Sequence, residues 1–399
     1  MSHKVNTGKK PGKSVWRRVT GKLHLWLGLA SGLIVVFLGI TGCILAFEQE
    51  IRSITQPYLF VEKQEAPYLP PSRLKAEAEK RLDGKKALSI EYPGRDRSAI
   101  VSYYDEDNYQ LIFLDPYSGK ILKDKNMNRD FFRVVLMGHF YLWLPPNIGQ
   151  PIVASATLIF LIMMITGLIL WWPKNKAARK QRFTIRWNAK WKRVNYDMHN
   201  VLGFYMTWVC IFIAITGLVM GFEWFAKSVY FVSSGGKILP PHEHPVSDTT
   251  RIAAAGAAPG DQVYMYMAAL AKPGESYGVY YPSAATDPIE GFVNHRPGTY
   301  YNTDYYHYDR YTVKELPATG VYAGSFKDAA IEDKIARMNY DIHVGAILGL
   351  AGKIMAFFGS LIGASLPVTG FMIWRGRKKK SKSRQVQPEF ADTAILAQA

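Results

Sequence analysis

Cysteine is nearly missing from this chain: two in 399 residues, Cys43 and Cys210, each inside a long apolar run. Two isolated thiols exclude a disulfide framework and any metal site built on several cysteines. Acidic residues are also short, with 32 Asp and Glu against 49 Lys and Arg, for a net charge of +17. No GxGxxG follows a strand and no flavin or nicotinamide fingerprint occurs elsewhere, so the sequence carries no signal for a bound dinucleotide. GKKPGKS, residues 8–14, is one residue short of a phosphate-binding loop and follows no hydrophobic strand, which leaves a basic tail. A short apolar leader with a small-residue cleavage site is lacking too, so the first apolar run is expected to stay as a helix.

What is present is basic charge in blocks. Residues 4–22 hold seven Lys and Arg, residues 174–193 hold nine with no acid among them, and residues 375–384 hold seven. Each block abuts an apolar segment instead of alternating with aromatics on a folded face, so the charge marks cytoplasmic membrane flanks and excludes a nucleic-acid protein. Four segments are long enough to cross a bilayer as helix. The expected order is a basic cytoplasmic tail (1–22), span one (23–47), an outer domain (48–130), a pre-span segment (131–148), span two (149–172) and a basic cytoplasmic loop (173–196). Span three (197–222), a second outer domain (223–336), a second pre-span segment (337–349), span four (350–374) and a cytoplasmic tail (375–399) complete it. Trp26, Trp171, Trp172, Trp191, Trp224 and Trp374 fall near span ends, as interfacial aromatics do.

The chain repeats itself. A constant offset of 175 residues pairs His24 with His199, Gly28 with Gly203, Thr41-Gly42 with Thr216-Gly217 and Phe47-Glu48 with Phe222-Glu223. Spans two and four match likewise: Gly149 with Gly352, Thr166-Gly167 with Thr369-Gly370, and Trp171 with Trp374. In the outer segments, QLIFLDPYSGKIL alternates into a turn and reads as a β-hairpin, and YYHYDRYTVKEL keeps Asp309, Tyr311, Lys314 and Leu316 in register with Asp115, Tyr117, Lys120 and Leu122. The fold class is therefore an integral membrane, α-helical four-span bundle, a duplicated helix/outer domain/helix unit with two small α+β outer domains.

Four of the nine histidines occupy matched repeat positions. His24 and His199 lie at the cytoplasmic ends of spans one and three; His139 and His343 lie just outside spans two and four, six residues after Arg133 and Arg337. Ionisable groups at such depth mark function, and imidazoles paired on facing helices suit a six-coordinate b-type haem, here two haem b with these histidines as axial iron ligands. Gly28 and Gly203, one turn deeper than their histidines, leave room for a flat macrocycle. Thr41 and Thr216 follow theirs by seventeen residues, which at helical pitch returns to nearly the same face about 25 Å along the axis, facing the second haem. Propionates call for cations: Lys22, Lys192 and Arg193 inside, Arg133 and Arg337 outside.

The HxxLG at the start of spans one and three, the Thr-Gly near the end of all four, Trp171-Trp172-Pro173, the pre-span histidines and the Asp115-Pro116-Tyr117-Ser118-Gly119-Lys120 hairpin together resemble the PepSY-associated transmembrane family. Within it the chain is similar to the iron-uptake branch that reduces ferric siderophores at the bacterial inner membrane. The second hairpin departs from the pattern, with Arg310 in place of proline and Val313 in place of glycine. The resemblance implies PepSY-like outer domains in the periplasm, both termini in the cytoplasm, and electrons passed outward from a quinol or cytoplasmic reductase to a ferric siderophore or other Fe(III) chelate. The aromatic run 300–311, with Tyr305 and His307, is the candidate substrate wall. His242 and His244, flanking Glu243, are a second metal candidate, but in a Pro-bounded segment and only two residues apart the preferred reading is a solvated loop. Two other classes stay open on the residues alone: a haem-free regulatory or scaffold membrane protein and a transporter of an iron complex.

Overall fold

The computed structural model describes residues 15–173, 175, 176, 179, 181–241, 245–251 and 256–385. The GKKPGKS stretch and the His242/His244 pair lie outside the described residues. Among the described residues four helices are long and apolar enough to cross a membrane: α1 (Val15–Ala46), α5 (Pro146–Trp171), α6 (Trp191–Gly221) and α10 (Gly349–Gln385). Three of them extend past the expected spans into the basic flanks, because Lys and Arg are good helix formers and nothing in those flanks breaks the backbone pattern. The chain divides into two compact units, one holding residues up to Ile40, Ile152–Ile215 and Phe358 onward, the other Thr41–Pro151 and Thr216–Phe357.

In the first unit small residues let helices approach. A Cβ built on Gly39 would stand 2.7 Å from the Ala364 side chain, and one on Gly32 3.2 Å from Pro367, so α1 meets α10 through glycine. Apolar lipid offers no drive for apolar surfaces to associate, and close packing of this kind is what holds helices together. Trp171 departs from the interfacial role: it is buried and stacks on Phe204 at 3.8 Å between centroids.

The second unit is built on a sheet. Strands β1 (Ser89–Tyr92), β2 (Ala99–Tyr104), β3 (Tyr109–Leu114) and β4 (Ile121–Asn126) come from the first repeat, and β5 (Ser276–Tyr280), β6 (Ile289–Asn294), β7 (Thr303–Tyr308) and β8 (Glu315–Leu316) from the second. The sequence suggests two domains; the strands form one eight-stranded antiparallel sheet in the order β4-β3-β2-β1-β5-β6-β7-β8. The halves join through β1 and β5, with Ile90 opposite Val279. Separate domains would leave two long edges with unpaired backbone groups, and fusing them satisfies both. Gly278 makes the junction feasible, since a Cβ there would collide with the Ile90 carbonyl oxygen. The remaining edges are blunted by a two-residue β8 and by Lys123, Asp124 and Lys125 on β4.

Helix α3 (Pro71–Glu79) covers the first half of the sheet with Leu74 and Ala78, and α8 (Pro259–Leu270) the second with Val263 and Met267. Asp261 of α8 accepts hydrogen bonds from the backbone N–H (2.8 Å) and hydroxyl (2.6 Å) of Ser72 at the start of α3, tying the two together. The two hairpin turns close alike despite their sequence difference. Asp115 accepts from the N–H groups of Tyr117 and Gly119, and Asp309 from those of Tyr311, Thr312 and Val313. Val313 takes φ 57° where Gly119 has 76°. Left-handed backbone costs a β-branched residue roughly 1–2 kcal/mol, and burial of the Val313 side chain among Val263, Val279 and Ile289 offsets it.

Candidate functional site

His24 on α1 and His199 on α6 come together in the first unit, ring centroids 6.5 Å apart and planes crossing at 89°. Each ring is held from the side by a Thr-Gly dipeptide of spans two and four. His24 Nδ1 lies 2.9 Å from Thr166 Oγ1, and His199 Nδ1 lies 2.9 Å from Thr369 Oγ1. A Cβ on Gly167 or Gly370 would sit 3.3 Å from the Cε1 of the adjoining imidazole, so the glycines let the rings lie against the helix. The space beside Gly28 and Gly203 is taken by neighbours instead of standing open: Met163 at 2.7 Å and Leu366 at 3.5 Å from the built Cβ atoms, one residue in each repeat.

The second unit holds the other pair. His139 lies in the last turn of α4 (Phe131–Tyr141) and His343 ends α9 (Ile331–His343); their centroids are 6.3 Å apart with planes at 68°. Thr41 Oγ1 stands 2.8 Å from His139 Nδ1, and Thr216 Oγ1 3.1 Å from His343 Nδ1. The chain reverses after α4 through Leu142 and Trp143, both left-handed, and after α9 through Gly345. Gly149 and Gly352 give those reversals room: a side chain there would strike the backbone carbonyls of Tyr141 and Gly345. Asp130 caps α4 by accepting the Arg133 N–H at 3.1 Å, and it also accepts from Arg52 and, at 2.7 Å, from Lys125. Burial pushes the Asp130 carboxyl upward, but the Arg52 and Lys125 hydrogen bonds outweigh it and hold it below the usual carboxylate range. Burial, and then the neighbouring His343 ring, lower the pKa of His139 to about 3, which keeps that imidazole neutral.

Arg337 departs from the sequence reading. Arg337 is buried, and its guanidinium donates to the carbonyls of Val321 (2.7 Å) and Ala323 (2.8 Å), so it clamps a loop and is not offered to a propionate. Arg133 stacks over the Tyr109 ring at 5.2 Å. Spacing along the chain sets neither direction. On the inner side Lys22 is exposed, and Arg193 Nε is bonded to Asp197 at 3.0 Å. A cation that sequence reasoning missed is Lys353 near the start of α10, buried and paired with Glu50 at 2.7 Å.

A cavity of about 860 Å³ opens beneath the second half of the sheet, lined among others by Tyr280, Glu290, Tyr305, His307, Tyr322 and Asn339. Both residues chosen for the substrate wall therefore face one space. His307 Nε2 lies 3.0 Å from Glu290 Oε2. Asn339, one turn before His343, donates to the Thr216 carbonyl at 3.1 Å, so the cavity floor shares its helix and its hydrogen bonds with the outer histidine pair.

The donor set fits a haem. Two metal–nitrogen bonds of about 2 Å placed between two imidazoles separate the ring centroids by about 6 Å, and the pairs stand at 6.5 Å and 6.3 Å. With each Nδ1 turned to a threonine, Nε2 is the nitrogen that ligation would use. Four membrane-length helices among the described residues define a multi-pass membrane protein. The chain belongs to the family of the PepSY-associated TM region, whose sequence model matches residues 22–377. No curated protein matches the chain.

Proposed function

We propose that this protein is a di-haem b oxidoreductase of the bacterial inner membrane that carries electrons outward to an Fe(III) chelate such as a ferric siderophore. The observation that carries the reading is the pairing of four imidazoles into two sets with haem-like spacing. Bound haem would supply a one-electron carrier at each place, tuned by its histidines and their hydrogen bonds. His24 and His199 hold the inner one, His139 and His343 the outer. The basic flanks set both termini in the cytoplasm, where a quinol or a reductase gives up the electron. The cavity with Tyr305 and His307 receives the chelate, and its size lies within the range of small-molecule sites. One electron converts Fe(III) to Fe(II), a weaker partner for hard oxygen donors, and the chelate loosens.

Stopped-flow oxidation of dithionite-reduced protein by a series of ferric chelates tests the docking site. Tyr305→Ala and His307→Ala are expected to raise the half-saturating chelate concentration roughly tenfold, the equivalent of one lost hydrogen bond, with unchanged haem spectra. Wild-type saturation in both variants would take the cavity out of the reaction.

A further inference from the structure

The two Thr-Gly dipeptides beside the inner histidines do more than pack. The Thr166 hydroxyl donates to the carbonyl of Ile162 at 2.9 Å, and the Thr369 hydroxyl to that of Ser365 at 3.0 Å. A hydroxyl has one proton. When that proton is given to the preceding turn, each oxygen accepts, and the 2.9 Å contacts to His24 and His199 then run from Nδ1–H to the hydroxyl. A neutral imidazole with its proton on Nδ1 presents its lone pair on Nε2. Membrane helices commonly contain threonines that bond back to their own helix; what is particular here is that both also meet an imidazole nitrogen, at equivalent positions of a repeat.

We infer that Thr166-Gly167 and Thr369-Gly370 are imidazole cradles that select Nε2 of His24 and His199 as the metal-binding nitrogen and tune the reduction potential of the inner haem. The inference rests on the reading of those histidines as haem ligands. The threonines act through the ligands and are positioning residues. An acceptor on Nδ1–H makes the imidazole a better donor and favours the ferric state. A hydroxyl is a weaker acceptor than a carboxylate, so it orients the ring without drawing the proton off it. The glycines complete the device, because a methyl 3.3 Å from Cε1 would press on the ring face. Together the two contacts fix both ring planes, which cross at 89°.

Thr→Val keeps the shape and removes the hydroxyl, leaving the backbone of Met163 and Leu366 beside the two rings. Potentiometric titration of the purified holoprotein, with electron paramagnetic resonance of the oxidised form, reads the result. In Thr166→Val and Thr369→Val the inner wave is expected to move upward while the outer wave stays in place as an internal reference. A tenfold loss of ferric over ferrous preference per variant corresponds to about 59 mV. The strongly anisotropic low-spin signal of crossed rings is expected to change in the same variants, and Thr166→Ser, which keeps the hydroxyl, to restore both readouts. Two haems retained with both waves and the signal at wild-type values would overturn the inference and leave the hydroxyls as helix back-bonds. Haem loss from Thr166→Ser equal to that from Thr166→Val would overturn it as well. Wild-type protein without haem would instead refute the ligand assignment itself.

Discussion

His24→Ala and His199→Ala are each expected to lose one haem of two and keep the other, and His139→Ala and His343→Ala to do the same for the opposite haem. The four single variants thus fall into two classes by pyridine haemochrome content and by which redox wave survives. The grouping follows from the ring pairs, at 6.5 Å for His24 with His199 and 6.3 Å for His139 with His343. On the proposed ligation, removing one imidazole leaves its partner as a single ligand. Loss of one ligand from an iron held by two is a first-order effect on retention, larger than any change in surrounding hydrogen bonds. Retention of both haems by His24→Ala and His199→Ala would remove the inner assignment, and a mixed grouping would break the pairing.

Asp130→Ala carries the second large expectation. Asp130 is buried, accepts from Arg52 at 3.0 Å and Lys125 at 2.7 Å, and caps the helix that bears His139. Truncation strands two cations with only Glu48 left against Arg52. Breaking a buried pair in this way costs about 3–5 kcal/mol, which lowers the melting temperature of a unit this size by roughly 10 °C. The carboxyl is held below its ordinary range by its partners, so its contribution is fully present above about pH 4 and is lost as pH falls through the depressed folded value. Thermal unfolding of detergent-solubilised protein at pH 7 and at pH 3 should therefore separate wild type from variant most widely at pH 7 and less at pH 3, where the loss has begun but the folded carboxyl is still ionised. A variant that melts with wild type at pH 7 would show that the network contributes nothing.

Much of this arrangement was legible in the chain because duplication printed it twice. The offset of 175 residues aligns His24 with His199 and Thr41 with Thr216, and in the structure those threonines stand against His139 and His343. The Thr-Gly of all four spans was visible as a repeat, yet the contact of each hydroxyl with an Nδ1 was not, since no periodicity states which hydroxyl meets which ring. Arg337 was misread for the same reason. Six residues from a histidine tells where Arg337 sits on its helix, not that its guanidinium closes on Val321 and Ala323. The single sheet was hidden because β1 and β5 lie far apart in the chain, with Ile90 opposite Val279, and no local pattern names so distant a partner. Val313 read as a broken hairpin motif, but tertiary burial overrode the local penalty.

The central claim is that each chain holds two haem b between its histidine pairs. Haem quantification with a reduced-minus-oxidised spectrum of the purified wild-type protein tests it most directly. Two haem b per chain, both low-spin and both reducible by dithionite, is the expected result. A colourless protein purified from haem-replete cells would contradict it.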